Sequence, residues 1–177
     1  DETYNAVVRR QVEYGAQRGV PWGISESAYY AQDLEKNYQY RAFGVPGLGL
    51  KRGLAEDLVV APYASAMALM VAPAAACANL QRLAAEGAAG TFGLHEAIDY
   101  TPSRLPRGRS SVVVRSFMAH HQGMSLLALA HHLLGPLMQR RFEAEPQLQA
   151  TLLLLHERVP RGVTFHPHTA DRADLRS

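Results

Sequence analysis

Cysteine is almost missing from this sequence: Cys77 is the only one in 177 residues, which excludes an internal disulfide framework and a cysteine-built zinc site. It stands in an alanine-rich run, where a buried and inert thiol is expected. Lysine is nearly as scarce, with Lys36 and Lys51 alone, so the positive charge is almost all arginine, whose planar fork suits hydroxyl and carboxylate partners as well as phosphates. A strong field of either sign is lacking too. Lys and Arg number 18 against 16 Asp and Glu, a net charge of +2, which is too little to hold a nucleic-acid backbone or an anionic membrane and fits a neutral partner better. No uninterrupted run spans a membrane: residues 58–78 are apolar enough to suggest one, but Pro62, Tyr63, Ser65 and Pro73 break them into a helix, a break and a second buried helix. A βαβ rhythm is also absent, which argues against a parallel sheet.

What is present reads mostly as helix. Residues 2–18 carry Tyr4, Val7, Val8, Val12 and Tyr14 at helical spacing, with Gly19 as a stop. Residues 62–71 and 73–86 are predicted helices opening on proline, where a missing N–H does no harm, and Gly87 and Gly90 end the second. Residues 119–134 form the strongest predicted helix, closed by Gly135 and Pro136, and residues 137–143 and 147–158 complete the set. Residues 21–27 are placed on a loop entering a short helix, 43–54 on a long glycine-rich loop, 91–100 on extended or irregular structure and 111–116 on a short strand. Asp1 in place of Met, and a tail that loses its apolar period after residue 158, read as cuts within a longer polypeptide. Helix pairs joined by long loops make the expected class all-α: a partial (α/α)6 toroid with functional loops at one end and minor short β segments. The expected domain is 1–158, with 159–177 a linker or disordered tail.

Two glutamates lie in aromatic surroundings. Glu26 has Trp22, Ser25, Ser27, Tyr29 and Tyr30 near it in sequence, a setting in which a carboxyl group is partly desolvated, as glycoside chemistry requires of its acid. A helix cap after Ser25 is an equally good explanation of that glutamate. Glu96 follows His95, but Asp99 stands where a zinc protease would need its second histidine, so that chemistry fails, and an interhelical salt bridge is as good a reading as catalysis. His120 and His121 lie about 16 Å from His131 and His132 along a straight helix, too far to share a metal ion. The first pair and Gln122 suit hydrogen bonding at a pocket, and the second pair a structural role. Gly44 and Gly49 have phosphate-loop spacing, yet Leu50 and Arg52 replace the residues that such a loop needs.

Taken together and in this order, residues 20–30, 38–54, 59–68, 93–104 and 114–127 resemble the glucoamylase-like domain of cyclic β-1,2-glucan synthases. The resemblance implies an (α/α) barrel that binds linear β-1,2-glucan and closes it into rings by transglycosylation with retention, or hydrolyses it, without cofactor or metal. Its alternative within the same family is a module that binds and guides the glucan without cutting it. Carried over by motif, Glu26 and Glu96 are the catalytic pair, with Glu26 assigned as nucleophile, Glu96 as acid/base and the reverse left open. Trp22, Tyr29, Tyr30, Tyr40 and Phe43 would stack on sugar rings, and Asp99, Arg115, His120, His121 and Gln122 would hold hydroxyl groups. The family further implies β-1,2-glucan as ligand, no nucleic acid, and an N-terminal barrel half, a glycosyltransferase and a phosphorylase on the same polypeptide. That polypeptide would be membrane-anchored on the cytoplasmic side of the bacterial inner membrane. A piece of such a barrel is expected to be inactive alone and to leave apolar helix faces open to self-association.

Overall fold

The computed structural model describes residues 2–49, 53 and 56–152. The tail 159–177, the end of the helix expected over 147–158 and part of the glycine-rich loop lie outside the described residues. The chain divides after Met138 into two compact units.

The first unit opens with α1 (Glu2–Arg18), which ends where Gly19 takes a left-handed φ of 70°. The chain then forms an antiparallel hairpin, β1 (Ser27–Gln32) with β2 (Tyr38–Arg41), in place of the expected short helix. Its turn is built on Asp33, whose Oδ1 accepts the backbone N–H groups of Glu35 and Asn37, both at 2.9 Å. Strand β3 (Val59–Val60) runs into α2 (Pro62–Met67), a 3-10 turn and α3 (Pro73–Leu83). Next come a hairpin of β4 (Ala89–Gly90) with β5 (Gly93–Leu94), then β6 (Ala97–Asp99), β7 (Val112–Val114) and the long helix α4 (Ala119–Leu134). Helix α5 (Leu137–Glu143) crosses the division after Met138, and α6 (Pro146–Leu152) lies in the second unit.

An all-α class is therefore corrected. Of the described residues 51% are helical and 15% lie in strands, arranged in three small antiparallel sheets. The central sheet has the order β3-β6-β7 and forms the heart of the core: Val59, Val60, Ala97, Ile98 and Val114 have no exposed surface. The β-branched runs Val59-Val60 and Val112-Val113-Val114 explain it, since such side chains pack well on a pleated surface and lose rotamer freedom in a helix. These short segments look like connections between helices but carry the pairing that holds the unit together.

The hairpin is joined to the central sheet by side chains rather than by a ladder. Glu96 Oε1 accepts the N–H of Ala28 at 3.2 Å, and Asp99 Oδ2 accepts that of Tyr30 at 3.0 Å, so two alternate donors on one edge of β1 are satisfied by carboxylates flanking and ending β6. A second cluster joins α1 to α3: Trp22 packs with Ala68, Leu69 and Ala76, and Val8 and Val12 close over it. Its polar pin is Asn79, which accepts the Trp22 N–H at 3.1 Å and donates to the Trp22 carbonyl at 2.7 Å and Ser65 Oγ at 2.8 Å. Cys77 is exposed, which corrects the buried thiol expected above. The buried stripe of α3 runs Ala76, Asn79, Leu83, and Cys77 sits about 100° around the helix from it. No helix among the described residues is long and apolar enough to cross a membrane.

Candidate active site

Glu96 precedes β6, its N–H bound to the Ser116 carbonyl at 3.0 Å just beyond the β6–β7 pairing, and its side chain reaches the hairpin at Ala28. It is 2% exposed. Oε1 takes the Ala28 N–H and, at 2.8 Å, His121 Nδ1, while Oε2 is buried without a protein partner. A buried carboxylate with one oxygen doubly held and the other bare is an uncommon arrangement, because unmet polar atoms are costly in a core.

His121 is fixed on every side. It stands in the first turn of α4, 1% exposed. Its Nε2 lies 3.3 Å from the Tyr40 hydroxyl, its face stacks on the Tyr63 ring at 3.8 Å and 10°, and the exposed ring of His120 tilts against it at 3.9 Å. Tyr63 enters this position because Pro62 opens α2 beside it. The Tyr63 hydroxyl donates to the Glu26 carbonyl at 3.2 Å, so in its 2.7 Å bond to Ser25 Oγ it serves as acceptor.

Tyr63 lines two concavities. One, of about 220 Å³, is lined by Tyr63, Leu94, His95, Glu96, His121 and Gln122 among others. The other is a larger groove of about 710 Å³ bordered by α1, residues 22–26, α2 and Met124, with Glu26 and Tyr63 on its wall. Glu26 itself is exposed, which corrects the partly desolvated carboxyl expected from its neighbours, and a strand follows it, so it caps no helix. Burial first, then the charges of Glu26, Tyr63 and Glu96, push the Tyr40 phenol up to about 12. Tyr63 is likewise raised, by burial foremost and then by Glu26 and Glu96, against a lowering from the Ser25 bond. Both carboxylates thus act on the same two phenols.

The other residues singled out by sequence separate into two groups. Tyr40, His120, His121 and Gln122 gather around Glu96, with Gln122 Nε2 donating to the Leu94 carbonyl at 3.4 Å. Trp22 and Phe43 are packed in the core at 8% and 4% exposure, which leaves little of either ring open to a sugar, although Trp22 borders the larger groove. Tyr29 meets Phe43 edge-on at 5.7 Å and lies under the Arg104 guanidinium at 4.8 Å, and Tyr30 is half-buried against the core. Arg115 is exposed. Asp99 has no exposed surface and each of its oxygens already holds two donors: Thr101 N–H and Arg104 on Oδ1, Tyr30 N–H and Arg104 Nε on Oδ2. Burial pulls the Arg104 guanidinium down, but its bonds to Asp99 and Asp57 hold it above its ordinary value. Ser25 and Tyr63 join the cluster around Glu96, although the sequence marks Ser25 only as a neighbour of Glu26 and Tyr63 only as a break in an apolar run. Tyr63 lies in a stretch that carries the family resemblance, and the phenol directly after the helix-opening Pro62 was the signal available.

The Glycoamylase family model, described as "Putative glucoamylase", matches residues 4–146. The chain is 48% identical over 163 residues to "Cyclic beta-(1,2)-glucan synthase NdvB" of Rhizobium meliloti, an alignment covering 92% of this chain and 6% of that protein. The chain therefore spans a small part of that relative. Among solved structures, an endo-beta-1,2-glucanase from Chitinophaga pinensis, in complex with sophorotriose and glucose, superposes with a TM-score of 0.55 at 20% identity, over 86% of this chain and 34% of that one. At that identity the match speaks for the fold.

Proposed function

Since the chain belongs to the Glycoamylase family, a carbohydrate-active family, we propose that it acts on linear β-1,2-glucan by retaining transglycosylation, with Glu96 as nucleophile and Glu26 as acid/base. What supports this reading is that the backbone at Glu26 and the histidine bonded to Glu96 meet the same aromatic ring. Tyr63 receives the Glu26 segment on its hydroxyl and stacks on the histidine that holds Glu96. The roles are reversed from those first assigned by motif. A nucleophilic carboxylate needs one oxygen fixed and the other uncommitted, which describes Oε1 and Oε2 of Glu96, whereas the exposed Glu26 is free to exchange protons with a leaving or entering oxygen.

In the first step Glu96 bonds to the anomeric carbon as the C1–O bond breaks, and the departing oxygen takes the Glu26 proton. In the second, a hydroxyl of the same glucan chain gives its proton to Glu26, attacks C1 and releases Glu96. When the hydroxyl is the 2-OH at the far end of the chain the product is a ring, and when water enters instead the product is a shorter glucan. In this reading Gln122, on the lining of the Glu96 concavity, binds a hydroxyl group, and the exposed Tyr40 and His120 beside His121 offer hydroxyl-binding and stacking contacts. The partners that follow from this reading are β-1,2-glucan and the remaining domains of a longer synthase polypeptide.

The test replaces Glu26 and Glu96 by glutamine, one at a time, in the full-length protein that carries this chain, and follows ring formation and chain shortening from linear β-1,2-glucan. Each variant is expected to lose turnover by a factor of about a thousand or more, as removal of one member of a coupled catalytic pair does. Undiminished turnover in either variant removes that residue from the mechanism. Glucan binding with no turnover in the unaltered protein would favour the guiding module instead.

A further inference from the structure

We propose that Glu96, His121 and Tyr40 form a hydrogen-bond chain that sets whether the Tyr40 hydroxyl offers the glucan a lone pair or a proton. The inference rests on the reading of Glu96 as a reacting carboxylate and adds to it a second, pH-dependent contact with substrate.

The chain of bonds is short and its direction follows from valence. An ionised Glu96 only accepts, so His121 Nδ1 carries the hydrogen of their 2.8 Å bond. In a neutral imidazole Nε2 then has a lone pair and no hydrogen. The one proton available to the 3.3 Å contact with Tyr40 is the phenolic one, which must point inward. Tyr40 is 40% exposed, and in this proposal the remaining lone pairs of its oxygen are those to which a sugar hydroxyl would donate. If His121 gains a second proton, Nε2–H becomes the donor, the phenolic hydrogen turns outward, and the same residue offers a proton instead. The phenol itself keeps its hydrogen at neutral pH, since burial and the surrounding carboxylates push it up to about 12.

Other observations favour a relay over simple packing. The His121 ring cannot swing away: Tyr63 stacks on its face and His120 tilts against it, so a change at Nδ1 is felt at Nε2 rather than lost in a rotation. The titratable groups facing it from neighbouring elements are Glu96 before β6, Tyr40 on β2, Tyr63 on α2 and His120 on α4, with Glu26 acting on the same two phenols. In the proposed reaction Glu96 gives up its charge when it bonds to the anomeric carbon, and the bond from Nδ1–H weakens at that step. The Tyr40 contact would therefore differ between the free enzyme and the glycosyl intermediate.

The experiment measures kcat/KM for linear β-1,2-glucan across pH in the full-length protein that carries this chain, as wild type, Tyr40→Phe, His121→Gln and Glu96→Gln, with thermal melts of each. Tyr40→Phe keeps the ring and is expected to stay folded, with a melt lowered by no more than the loss of one hydrogen bond. It should lower kcat/KM by about tenfold, the upper range for one hydrogen bond, and move the acidic inflection by about half a pH unit or more. In His121→Gln the amide can still donate to Glu96 and accept from Tyr40 but cannot turn from acceptor to donor, so adding Tyr40→Phe to it should move the profile no further. A Tyr40→Phe profile that superimposes on the wild type after scaling, with Glu96→Gln inactive, overturns this inference and leaves the parent reading standing. Undiminished turnover in Glu96→Gln removes the parent reading and this one with it. If His121→Gln does not fold, the Tyr40→Phe profile alone decides.

Discussion

Asp99 offers the sharpest separation of a structural carboxylate from a substrate-binding one, and Asp99→Ala is the perturbation that makes it. The side chain has no exposed surface and accepts from the backbone N–H groups of Tyr30 and Thr101 at 3.0 and 2.9 Å and from Arg104 at 2.8 and 3.2 Å. Removing it leaves two buried donors without acceptors and takes away one of two charge partners of Arg104. Deleting one member of a buried ion pair costs about 3–5 kcal/mol. The two stranded N–H groups would each cost about 1–3 kcal/mol counted alone, but they are part of the same loss. Arg104 keeps Asp57 at 2.9 Å and Thr101 Oγ1 at 2.8 Å, which offsets some of the cost. The expected total is about 4 kcal/mol, or a fall in Tm of roughly 8–16 °C for a chain of this size. Urea unfolding followed by circular dichroism reads the first figure and a melt the second, with glucan binding measured at a temperature where the variant is folded. A loss below about 1 kcal/mol together with weakened glucan binding would refute the reasoning and return Asp99 to the substrate.

Three further outcomes follow from named contacts. Asn79→Ala should destabilise the protein by about 2–4 kcal/mol, because both backbone polar groups of Trp22 bond to that one amide; an unchanged urea midpoint would contradict it. Cys77 should react with a thiol reagent in the native protein without loss of structure, since it is exposed on α3; reaction only after unfolding would contradict its placement. In the full-length protein, Glu96→Gly supplied with azide should yield a glycosyl azide of inverted anomeric configuration and Glu26→Gly one of retained configuration, because azide replaces the nucleophile in the first and the entering hydroxyl in the second. The opposite pairing, read by NMR of the products, would exchange the two roles.

Much of the helical part was legible from the sequence. The glycine stops and proline starts mark α1, α2, α3 and α4 closely, and the bounds expected for α4 are those observed, because Gly135 and Pro136 close it and the apolar period is strong. Strands were harder to read. Residues 27–41 are rich in tyrosine and lack a clean alternation, and their register is set by the Asp33 turn and by Glu96 and Asp99, residues far away in sequence. Two-residue strands such as β3 have no period to detect, and only pairing with β6 defines them.

In the candidate site, Glu96 enters through the family likeness and His121 through its place at the opening of the strongest predicted helix. Their mutual bond was invisible to sequence spacing because it joins a loop before a strand to the start of a helix. Trp22 shows the opposite failure. A lone tryptophan beside a glutamate invites a sugar-stacking role, yet its ring fills the gap between α1 and α3, closed in by Val8, Val12, Leu69 and Ala76.

The central claim is that Glu26 and Glu96 flank one glycosidic bond. The most direct measurement is a structure of the full-length protein with Glu26→Gln, bound to a linear β-1,2-gluco-oligosaccharide. The account predicts an anomeric carbon about 3–3.5 Å from Glu96 Oε2 and the amide introduced at position 26 on the far side of the same linkage, bonded to the glycosidic oxygen directly or through one hydroxyl. An oligosaccharide lying elsewhere, with Glu96 still enclosed by His121 and Ala28 and no sugar atom near Oε2, would contradict it.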